Sequence, residues 1–384
     1  MKKIFLLAGI AVTMLASCGG GAPKGTTLSG LNPKDFEIKN DSIENHLYVL
    51  KNKAGMEVCF TNMGARIVSI MVPDKTGKMQ DVVLGLDSIG KYQRIPSDFG
   101  AAIGRYANRI NKGQITVDGK MIQLPTNNYG HTLHGGPQGW QYKYYVGKQI
   151  DPQTIEFTLK SPDGDMNFPG TVQAKVTYKL TDDNSIDIQY EATTDKTTVI
   201  NMTNHSYFNL NGNPAEPVTN DTLYINADKF TPVDSTFMTL GTIASVFETP
   251  LDFTKPMTIG ARINQTSNQQ IKNGHGYDHN WVLNTNRDVK KLAARVSSPT
   301  TGIVLEVYTD QPGIQVYTGN FLDGTVTGKK GIVYPKHGAI CLETQVYPDS
   351  PNKFIKGVKG WPNAYLKPGE TYKHHTIFKF SVNK

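Results

Sequence analysis

Apolar and polar residues alternate with a period of two along much of the chain, as is typical of strands that bury one face. From 171 to 180 the even-numbered positions are apolar and the odd-numbered ones polar. A polar turn follows at 181–184, and the alternation resumes from 186 to 192. This pattern predicts a hairpin with one wet face.

Similar alternating runs occur at 155–159, 303–308, 314–318 and 376–382, and short turn signals separate the segments. No stretch of twelve or more residues shows a strong helical period, and residues 259–270 are the best candidate for a short helix. Strands do not alternate with helices, which disfavours a parallel doubly wound sheet. The pattern predicts an all-β fold, a large antiparallel β-sandwich.

The N-terminus has the features of a secretory signal sequence. Two lysines precede an apolar run at 4–15, which is too short to span a bilayer and suits a signal peptide. The run ends in Leu-Ala-Ser-Cys, which resembles a bacterial lipobox and predicts lipidation at Cys18. We therefore expect a lipoprotein signal at 1–17, a flexible tether at 18–34 and one domain at 35–384, anchored in the bacterial envelope and facing the periplasm, in the outer membrane.

Charge and cysteine content exclude several classes of protein. The net charge is +7 over 384 residues, and the basic residues are scattered rather than clustered, so a nucleic-acid partner is not expected. Cys59 and Cys341 remain beside the lipidation candidate, too few for a disulfide-stapled scaffold. A disulfide between them is possible, but their apolar neighbours favour buried free thiols.

The usual motifs of nucleotide, metal and serine-hydrolase sites are missing. The sequence holds no phosphate-binding glycine loop, no G-x-S-x-G and no H-E-x-x-H. His131 and His134 are three residues apart, but on a glycine-rich loop without a nearby cysteine, and we do not expect them to bind metal. The sequence thus indicates neither a metal nor a cofactor.

Six segments combine charged or imidazole groups with Gly, Asn and apolar neighbours, which is unusual for packing residues alone. One of them places Glu343 directly after Cys341 and Leu342, where a buried carboxylate must be paired or functional. The segments are GRYANRI (104–110), HTLHGG (131–136), TNHSYFNLNG (203–212), GYDHNWVL (276–283), QPGIQVYTGNF (311–321) and LETQ (342–345).

In that order, these segments resemble the aldose 1-epimerase (galactose mutarotase) family, and weaker similarity extends towards residue 62. The resemblance implies a galactose mutarotase-like supersandwich that interconverts the α and β anomers of free aldohexoses such as glucose and galactose, without a cofactor. It leaves the preferred aldose undetermined, and we take a monomer as the default.

The resemblance also assigns roles residue by residue. Glu343 would be the general base, His205 the general acid, and His134 would lie against the ring oxygen of the sugar. Four further residues would bind hydroxyl groups: Asn108, Arg109, Asp278 and Gln315.

These residue types suit the chemistry. Mutarotation removes a proton from the anomeric hydroxyl and adds one to the ring oxygen, so it needs one base and one acid that exchange roles easily. Asp and Arg side chains bind hydroxyls through charge-assisted hydrogen bonds. Four aromatic residues lie beside the segments and are candidates either for stacking on the sugar or for plain core packing: Trp140, Tyr207, Phe208 and Trp281.

Two other functions stay open at this point. Asp278 and Glu343 could be the carboxylate pair of a glycoside hydrolase, although the histidines would then have no role. A non-catalytic carbohydrate-binding lipoprotein would use the same fold, although a binder needs no paired acid and base. Release of monosaccharide from disaccharides would indicate the hydrolase, and sugar binding without rate enhancement would indicate the binder.

Overall fold

The computed structural model describes residues 25–40 and 42–383, and their secondary structure is mostly β. The predicted hairpin forms from Val172–Leu180 and Ser185–Thr194, with Tyr178 opposite Ile188. The even-numbered side chains of the first strand are buried and most odd-numbered ones are not, as the alternation predicted. The all-β class is confirmed.

The largest sheet is antiparallel and has nine strands within the described residues. The C-terminal strand lies at the centre of this sheet, between two strands that are distant from it in sequence. The two halves of the sheet are therefore joined only when the C-terminal strand is in place. Its order is Val146–Asp151, Thr154–Ser161, Val172–Leu180, Ser185–Thr194, Tyr372–Val382, Ile303–Thr309, Leu292–Ser297, Thr222–Ile225 and Met257–Thr258.

A second antiparallel sheet packs face to face against the first and forms a sandwich. Phe208 of this sheet meets Phe378 of the nine-stranded sheet with ring centroids 5.1 Å apart, and both rings belong to one buried core cluster. The order of the second sheet is Tyr207–Phe208, Ile340–Gln345, Gly313–Tyr317, Asp278–Val282, Lys229–Thr231 and Ala244–Ser245.

Smaller sheets complete the β structure of the described residues. A four-stranded sheet contains Leu47–Lys51, Glu57–Thr61, Arg66–Pro73 and Met79–Asp81. The paired strands are Ile38–Lys39 with Glu44–Asn45, Ala101–Ile103 with Thr203–His205, Arg109–Ile110 with Thr132–Leu133, Gln114–Val117 with Lys120–Gln123, and Thr198–Val199 with Tyr365–Leu366.

Helices are short throughout residues 25–40 and 42–383. The α-helices are Ile89–Arg94, Gln269–Gly274 and Ser350–Ile355. The 3-10 turns are Pro33–Phe36, Asn111–Gly113, Trp140–Tyr142, Asp165–Asn167, Val218–Asn220, Ile259–Ala261 and Lys329–Gly331. No helix in the described part is long and apolar enough to cross a membrane.

The helix predicted at 259–270 is wrong. Only a 3-10 turn forms at Ile259–Ala261, and the α-helix begins later, at Gln269. Asn268 caps it by accepting from the backbone N–H groups of Gln270 and Ile271. The start of a helix is thus set here by a capping side chain rather than by the apolar spacing upstream.

The predicted tether extends too far. Residues 18–24 lie outside the described residues, but Thr27, Ser29 and Leu31 are buried, and the backbone N–H of Leu28 donates to Glu57 at 2.7 Å. This segment is packed because it satisfies a buried carboxylate and covers apolar surface.

The two cysteines inside the domain are free and buried, as predicted. Burial raises the pKa of Cys59 to about 12, so its thiol is inert at neutral pH. Cys18, the predicted lipidation site, lies outside the described residues together with the signal peptide.

Candidate active site

A cavity of about 280 Å³ opens beside the second sheet, close to the lower end of the roughly 300–1,000 Å³ range of small-molecule sites. Carboxylates, imidazoles and a guanidinium converge on it, as expected for a site that binds a small polar ligand. Its lining residues are Asp98, Asn108, Arg109, Asn128, Tyr129, Leu133, His134, His205, Tyr207, Asp278, Tyr317, Phe321 and Glu343.

Glu343 reaches this cavity from the strand Ile340–Gln345. Leu342 belongs to the main core and Thr344 bonds to Thr376 of the nine-stranded sheet, so the residues flanking Glu343 face the sandwich interior. Alternation along the strand therefore turns Glu343 outward into the cavity. Its Oε2 is buried and has no hydrogen-bond partner among the described residues, which leaves it available to a ligand.

His205 faces Glu343 from another strand. Its Nε2 lies 3.4 Å from Glu343 Oε1, and the two side chains are at most 5% exposed. The strand Thr203–His205 pairs with Ala101–Ile103, and the imidazole stacks on Tyr207 with a centroid distance of 5.0 Å. A base and an acid thus stand side by side, and both side chains are largely shielded from solvent.

Burial gives Glu343 an unusual proton affinity. The pKa of Glu343 is raised to about 7: burial is the largest cause, Asp278 and Asp98 contribute to the rise, and His205 and Arg109 oppose it. A carboxylate with a pKa near neutrality is a stronger base than an ordinary glutamate and still loses its proton readily at neutral pH. The protein environment therefore poises Glu343 for reversible proton transfer.

His134 is held as a neutral hydrogen-bond donor. Its Nδ1 accepts from the backbone N–H of Asn108 at 3.0 Å, so the proton of the neutral ring is on Nε2. Burial, followed by the charges of His205 and Arg109, lowers the pKa of His134 well below its ordinary value. The ring therefore stays neutral at physiological pH.

The position of His134 requires a glycine after it in the HTLHGG segment. His134 has φ 52° and Gly135 φ 80°. A Cβ on Gly135 would lie 2.2 Å from the carbonyl oxygen of Gly104. A side chain at 135 is thus excluded both by its backbone conformation and by its neighbour, and the loop presses against GRYANRI.

The same tautomer argues against a metal ion. One potential ligand atom from each of Asp98, His134 and His205 lies within 4.8 Å of the others. A histidine that binds metal through Nε2 normally donates its Nδ1–H to an acceptor, but His134 Nδ1 faces a backbone donor instead. His131 is not part of this group, because its Nδ1 accepts from Lys112 and its Nε2 bonds to Thr236.

Further charged groups in the lining are arranged to bind hydroxyls. Arg109 donates through Nε to Asn128 at 3.0 Å and stacks over Phe237, which fixes its guanidinium. Asp278 accepts from Gln315 Nε2 at 2.7 Å. Burial raises the pKa of Asp278, and Arg109 opposes that shift. Donor and acceptor groups therefore stand together with their geometry already set.

The structure brings six of the seven predicted side chains to the cavity: Asn108, Arg109, His134, His205, Asp278 and Glu343. Gln315 does not line it. On its strand Gln315 lies opposite Glu343 and so on the same face of the sheet, and its amide donates to Asp278. Its Oε1 is buried without a partner among the described residues, so Gln315 is placed to orient Asp278, and its binding of a hydroxyl stays a prediction.

Of the four aromatic candidates for stacking, Tyr207 lines the cavity and the other three are core residues. Trp140, Phe208 and Trp281 are at most 1% exposed and lie in the main core. A Cβ at Gly104 would lie 2.0 Å from the ring of Trp140, so this indole packs under GRYANRI.

Sequence reasoning missed several lining residues. Tyr317 and Phe321 lie inside the QPGIQVYTGNF segment, but nothing in the pattern distinguished them from packing aromatics. Asp98, Asn128 and Tyr129 come from loops outside the six segments. Their roles depend on how distant loops meet, which no local signal encodes.

Comparisons with known proteins agree with this site. A family model described as aldose 1-epimerase matches residues 46–379. The chain is 43% identical to galactose mutarotase of Rattus norvegicus over 327 residues, covering 85% of this chain and 92% of the relative. It is 39% identical to aldose 1-epimerase of Escherichia coli (strain K12) over 338 residues, covering 87% and 94%.

Solved structures give the same answer. A GalM/aldose epimerase homologue from C. elegans superposes with a TM-score of 0.81 at 31% identity, covering 88% of this chain and all of that one. Galactose 1-epimerase from Lactobacillus acidophilus NCFM superposes with a TM-score of 0.78 at 30% identity. The match covers 91% of this chain and 98% of that one. The fold, the cavity and these similarities agree, and the chain belongs to the aldose 1-epimerase family.

Proposed function

We propose that the protein is an isomerase that interconverts the α and β anomers of free aldohexoses, glucose and galactose among them, by opening and reclosing the sugar ring. The observation that carries this is the 3.4 Å approach of His205 Nε2 to Glu343 Oε1 inside a cavity of monosaccharide size. The anomeric hydroxyl and the ring oxygen are bonded to the same carbon, so the reaction requires an adjacent base and acid.

Each side chain has a defined part in the reaction. Glu343 takes the proton of the anomeric hydroxyl while His205 gives a proton to the ring oxygen, and the bond between that oxygen and C1 breaks to leave an aldehyde. After rotation about C1–C2, the ring oxygen attacks the other face of the carbonyl, and both protons return. Each positioned transfer contributes about 10²–10⁴ in rate, and no step needs a cofactor.

The remaining residues hold the sugar during ring opening. His134 donates its Nε2 hydrogen to the ring oxygen, since its Nδ1 is already used by the backbone. Asn108, Arg109 and Asp278 bind ring hydroxyls, and Gln315 orients Asp278. Holding both chain ends of the open aldehyde favours reclosure over release.

The decisive experiment is polarimetry of freshly dissolved α-glucose and α-galactose with the purified protein. We expect the approach to equilibrium rotation to accelerate in proportion to protein concentration. Glu343→Gln keeps the shape of the side chain but removes the base, and we expect it to lower kcat by about 10²- to 10⁴-fold.

Several results would contradict this function. Near-wild-type rates in folded Glu343→Gln would show that the base is assigned wrongly. Sugar binding without any acceleration by the wild-type protein would indicate a binding lipoprotein, and monosaccharide released from disaccharides would indicate a hydrolase. Near-UV circular dichroism of the variant checks that the fold is retained.

We also propose that Cys18 carries a lipid that anchors the domain to the periplasmic side of the outer membrane. The basic start, the apolar run and the Leu-Ala-Ser-Cys ending support this. Labelling cells with an alkyne fatty acid should mark the wild-type protein and not Cys18→Ser. Label retained in that variant would exclude this anchor.

A single chain should suffice for activity, since all the residues assigned here come from one chain. Light scattering coupled to gel filtration, combined with assays across a range of protein concentrations, tests this. Activity per chain that falls on dilution together with an oligomer would contradict it.

A further inference from the structure

Asp98 lies in the cavity wall but has no part in the mechanism above. It precedes the strand Ala101–Ile103, which pairs with the strand of His205. Its Oδ1 is buried and has no hydrogen-bond partner among the described residues. Because no protein group bonds this buried carboxylate oxygen, it is available to a hydroxyl of a ligand.

The backbone that carries this carboxylate is held in place on both sides. Buried Arg66 donates through Nη1 to the carbonyls of Ser97 and Phe99, the two neighbours of Asp98, at 3.0 Å each. The carbonyl of Asp98 itself accepts from the N–H of Ala101 at 3.0 Å. The backbone around Asp98 is therefore fixed on both sides, as expected for a group that must meet a ligand in one position.

The surroundings of Asp98 fit a hydroxyl group. A carboxylate oxygen of Asp98 and ring nitrogens of His134 and His205 lie within 4.8 Å of one another. Two hydrogen bonds of about 2.8 Å that meet at one hydroxyl oxygen place their outer atoms about 4.5–5 Å apart. A hydroxyl that donates to Asp98 and lies beside the imidazole nitrogens therefore fits this gap.

The orientation of the sugar selects which hydroxyl this is. In the proposed function both histidines act at the ring oxygen, which is bonded only to C1 and C5. The hydroxyl on C1 belongs to Glu343. On the C5 side of the ring, the hydroxyls on C4 and C6 are both three bonds from the ring oxygen. The 4-hydroxyl is fixed by the ring and points differently in glucose and galactose, whereas the exocyclic 6-hydroxyl can rotate towards Asp98 in both sugars.

We propose that Asp98 binds the 6-hydroxyl of the substrate and makes the enzyme selective for hexoses over 6-deoxyhexoses and pentoses. The proposal rests on the function proposed above, because that function sets the orientation of the sugar. Asp98 also adds to the raised pKa of Glu343, behind burial and Asp278, as expected for a carboxylate that faces the same cavity.

The test compares sugars with and without the 6-hydroxyl. We would measure kcat and KM by polarimetry for D-glucose, 6-deoxy-D-glucose, D-galactose and 6-deoxy-D-galactose, with the full-length wild type, Asp98→Ala and Asp98→Asn. A hydrogen bond to a charged group predicts a wild-type preference of about 10- to 100-fold in kcat/KM for the hydroxylated sugars. Asp98→Ala should reduce that preference to near one, mainly by raising KM for the hexoses.

The matched control is Asp87→Ala, which removes a carboxylate paired with Lys91 away from the cavity and should leave the preference unchanged. Equal losses for both sugars of a pair, or no change in preference, would overturn the role of Asp98. Asp98→Asn keeps an oxygen acceptor and should retain part of the preference, so it decides the matter if the alanine variant does not fold. No acceleration of any sugar by the wild type would instead refute the proposed function itself.

Discussion

At the scale of single residues, the site works by burying groups that would be unremarkable in water. Glu343 is 2% exposed and His205 is 4% exposed, and each keeps one polar atom without a partner among the described residues. Such atoms are costly in the free protein and become useful when a ligand supplies the missing hydrogen bonds. The reactive groups are therefore placed to respond to the substrate rather than to each other alone.

The raised pKa of Glu343 predicts how activity depends on pH. The base must be ionised, and with a pKa of about 7 its ionised fraction falls as the pH drops through neutrality. We expect kcat/KM to decrease on the acid side with a midpoint near this value. Polarimetric rates from about pH 5 to about pH 9, corrected for the uncatalysed reaction, measure it.

This prediction would be contradicted if kcat/KM stayed constant down to about pH 5. The base would then have an ordinary carboxylate pKa. The profile of kcat/KM is the one to follow, because it reports the free enzyme.

Two histidines of the segments, His205 and His131, should differ in importance. His205→Ala removes the acid and should lower kcat by about 10²-fold or more. His131→Ala should have a mild effect, because that ring bonds Lys112 and Thr236 outside the cavity. Equal losses in the two variants, with thermal unfolding unchanged, would show that the acid is assigned to the wrong imidazole.

At the scale of elements, tight loops and strand register place the site. Gln315 and Glu343 are register partners on adjacent strands, so the base and the residue that orients Asp278 are fixed by the same ladder. The segment GRYANRI contains both structural and cavity-lining residues. Buried Arg105 donates to the carbonyls of Pro169 and Gly170, and Asn108 and Arg109 line the cavity. Segments of this kind join structural anchors to site residues.

Gly135→Ala tests the loop contact. The substitution adds a Cβ at 2.2 Å from the carbonyl oxygen of Gly104 in a left-handed backbone position, so His134 must move. We expect a loss of stability together with a fall in kcat/KM of at least about 10-fold, since small displacements at a site are costly. Chemical denaturation and polarimetry measure the two effects.

Gly119→Ala is the matched control, because Gly119 also has a positive φ but a Cβ there meets nothing within 4 Å. It should carry only the backbone cost of about 1 kcal/mol and leave activity unchanged. If both variants lost activity alike, the approach of the two loops would not be what places His134.

At the scale of the whole molecule, the sandwich is a platform for the cavity. The C-terminal strand Tyr372–Val382 lies between Ser185–Thr194 and Ile303–Thr309, so the nine-stranded sheet joins distant parts of the chain. The second sheet packs on it through Phe208 and presents Glu343 on its other side. Core and site therefore occupy opposite faces of one sheet.

Phe378→Ala should separate stability from catalysis. Its ring is 1% exposed and lies between the sheets, so truncation should cost about 3–5 kcal/mol of unfolding free energy. The folded fraction should keep its kcat, because the ring is remote from the cavity. Phe354→Ala, at a ring 43% exposed, is the control and should stay within about 0.5 kcal/mol; a similar loss there would contradict the core assignment.

The sequence by itself determined the β class and the main hairpin, and its resemblance to the aldose 1-epimerase family indicated six of the lining side chains. Period-two alternation is local, so the strand 172–180 could be predicted from its own residues. The six segments were recognisable because Gly, Asn, His and carboxylates are rarely combined in packing strands. Local patterns were less reliable where a single capping side chain set the start of a helix, as Asn268 does for the helix that begins at Gln269.

Only the tertiary structure decided which groups meet. Asp98 carries no local signal, and it lines the cavity because Arg66 fixes the backbone beside it. Gln315 is predicted to bind a hydroxyl, and the tertiary structure shows that its amide also donates to Asp278. Contacts between residues far apart in the chain depend on how sheets and loops pack, and so does the burial that raises the pKa of Glu343.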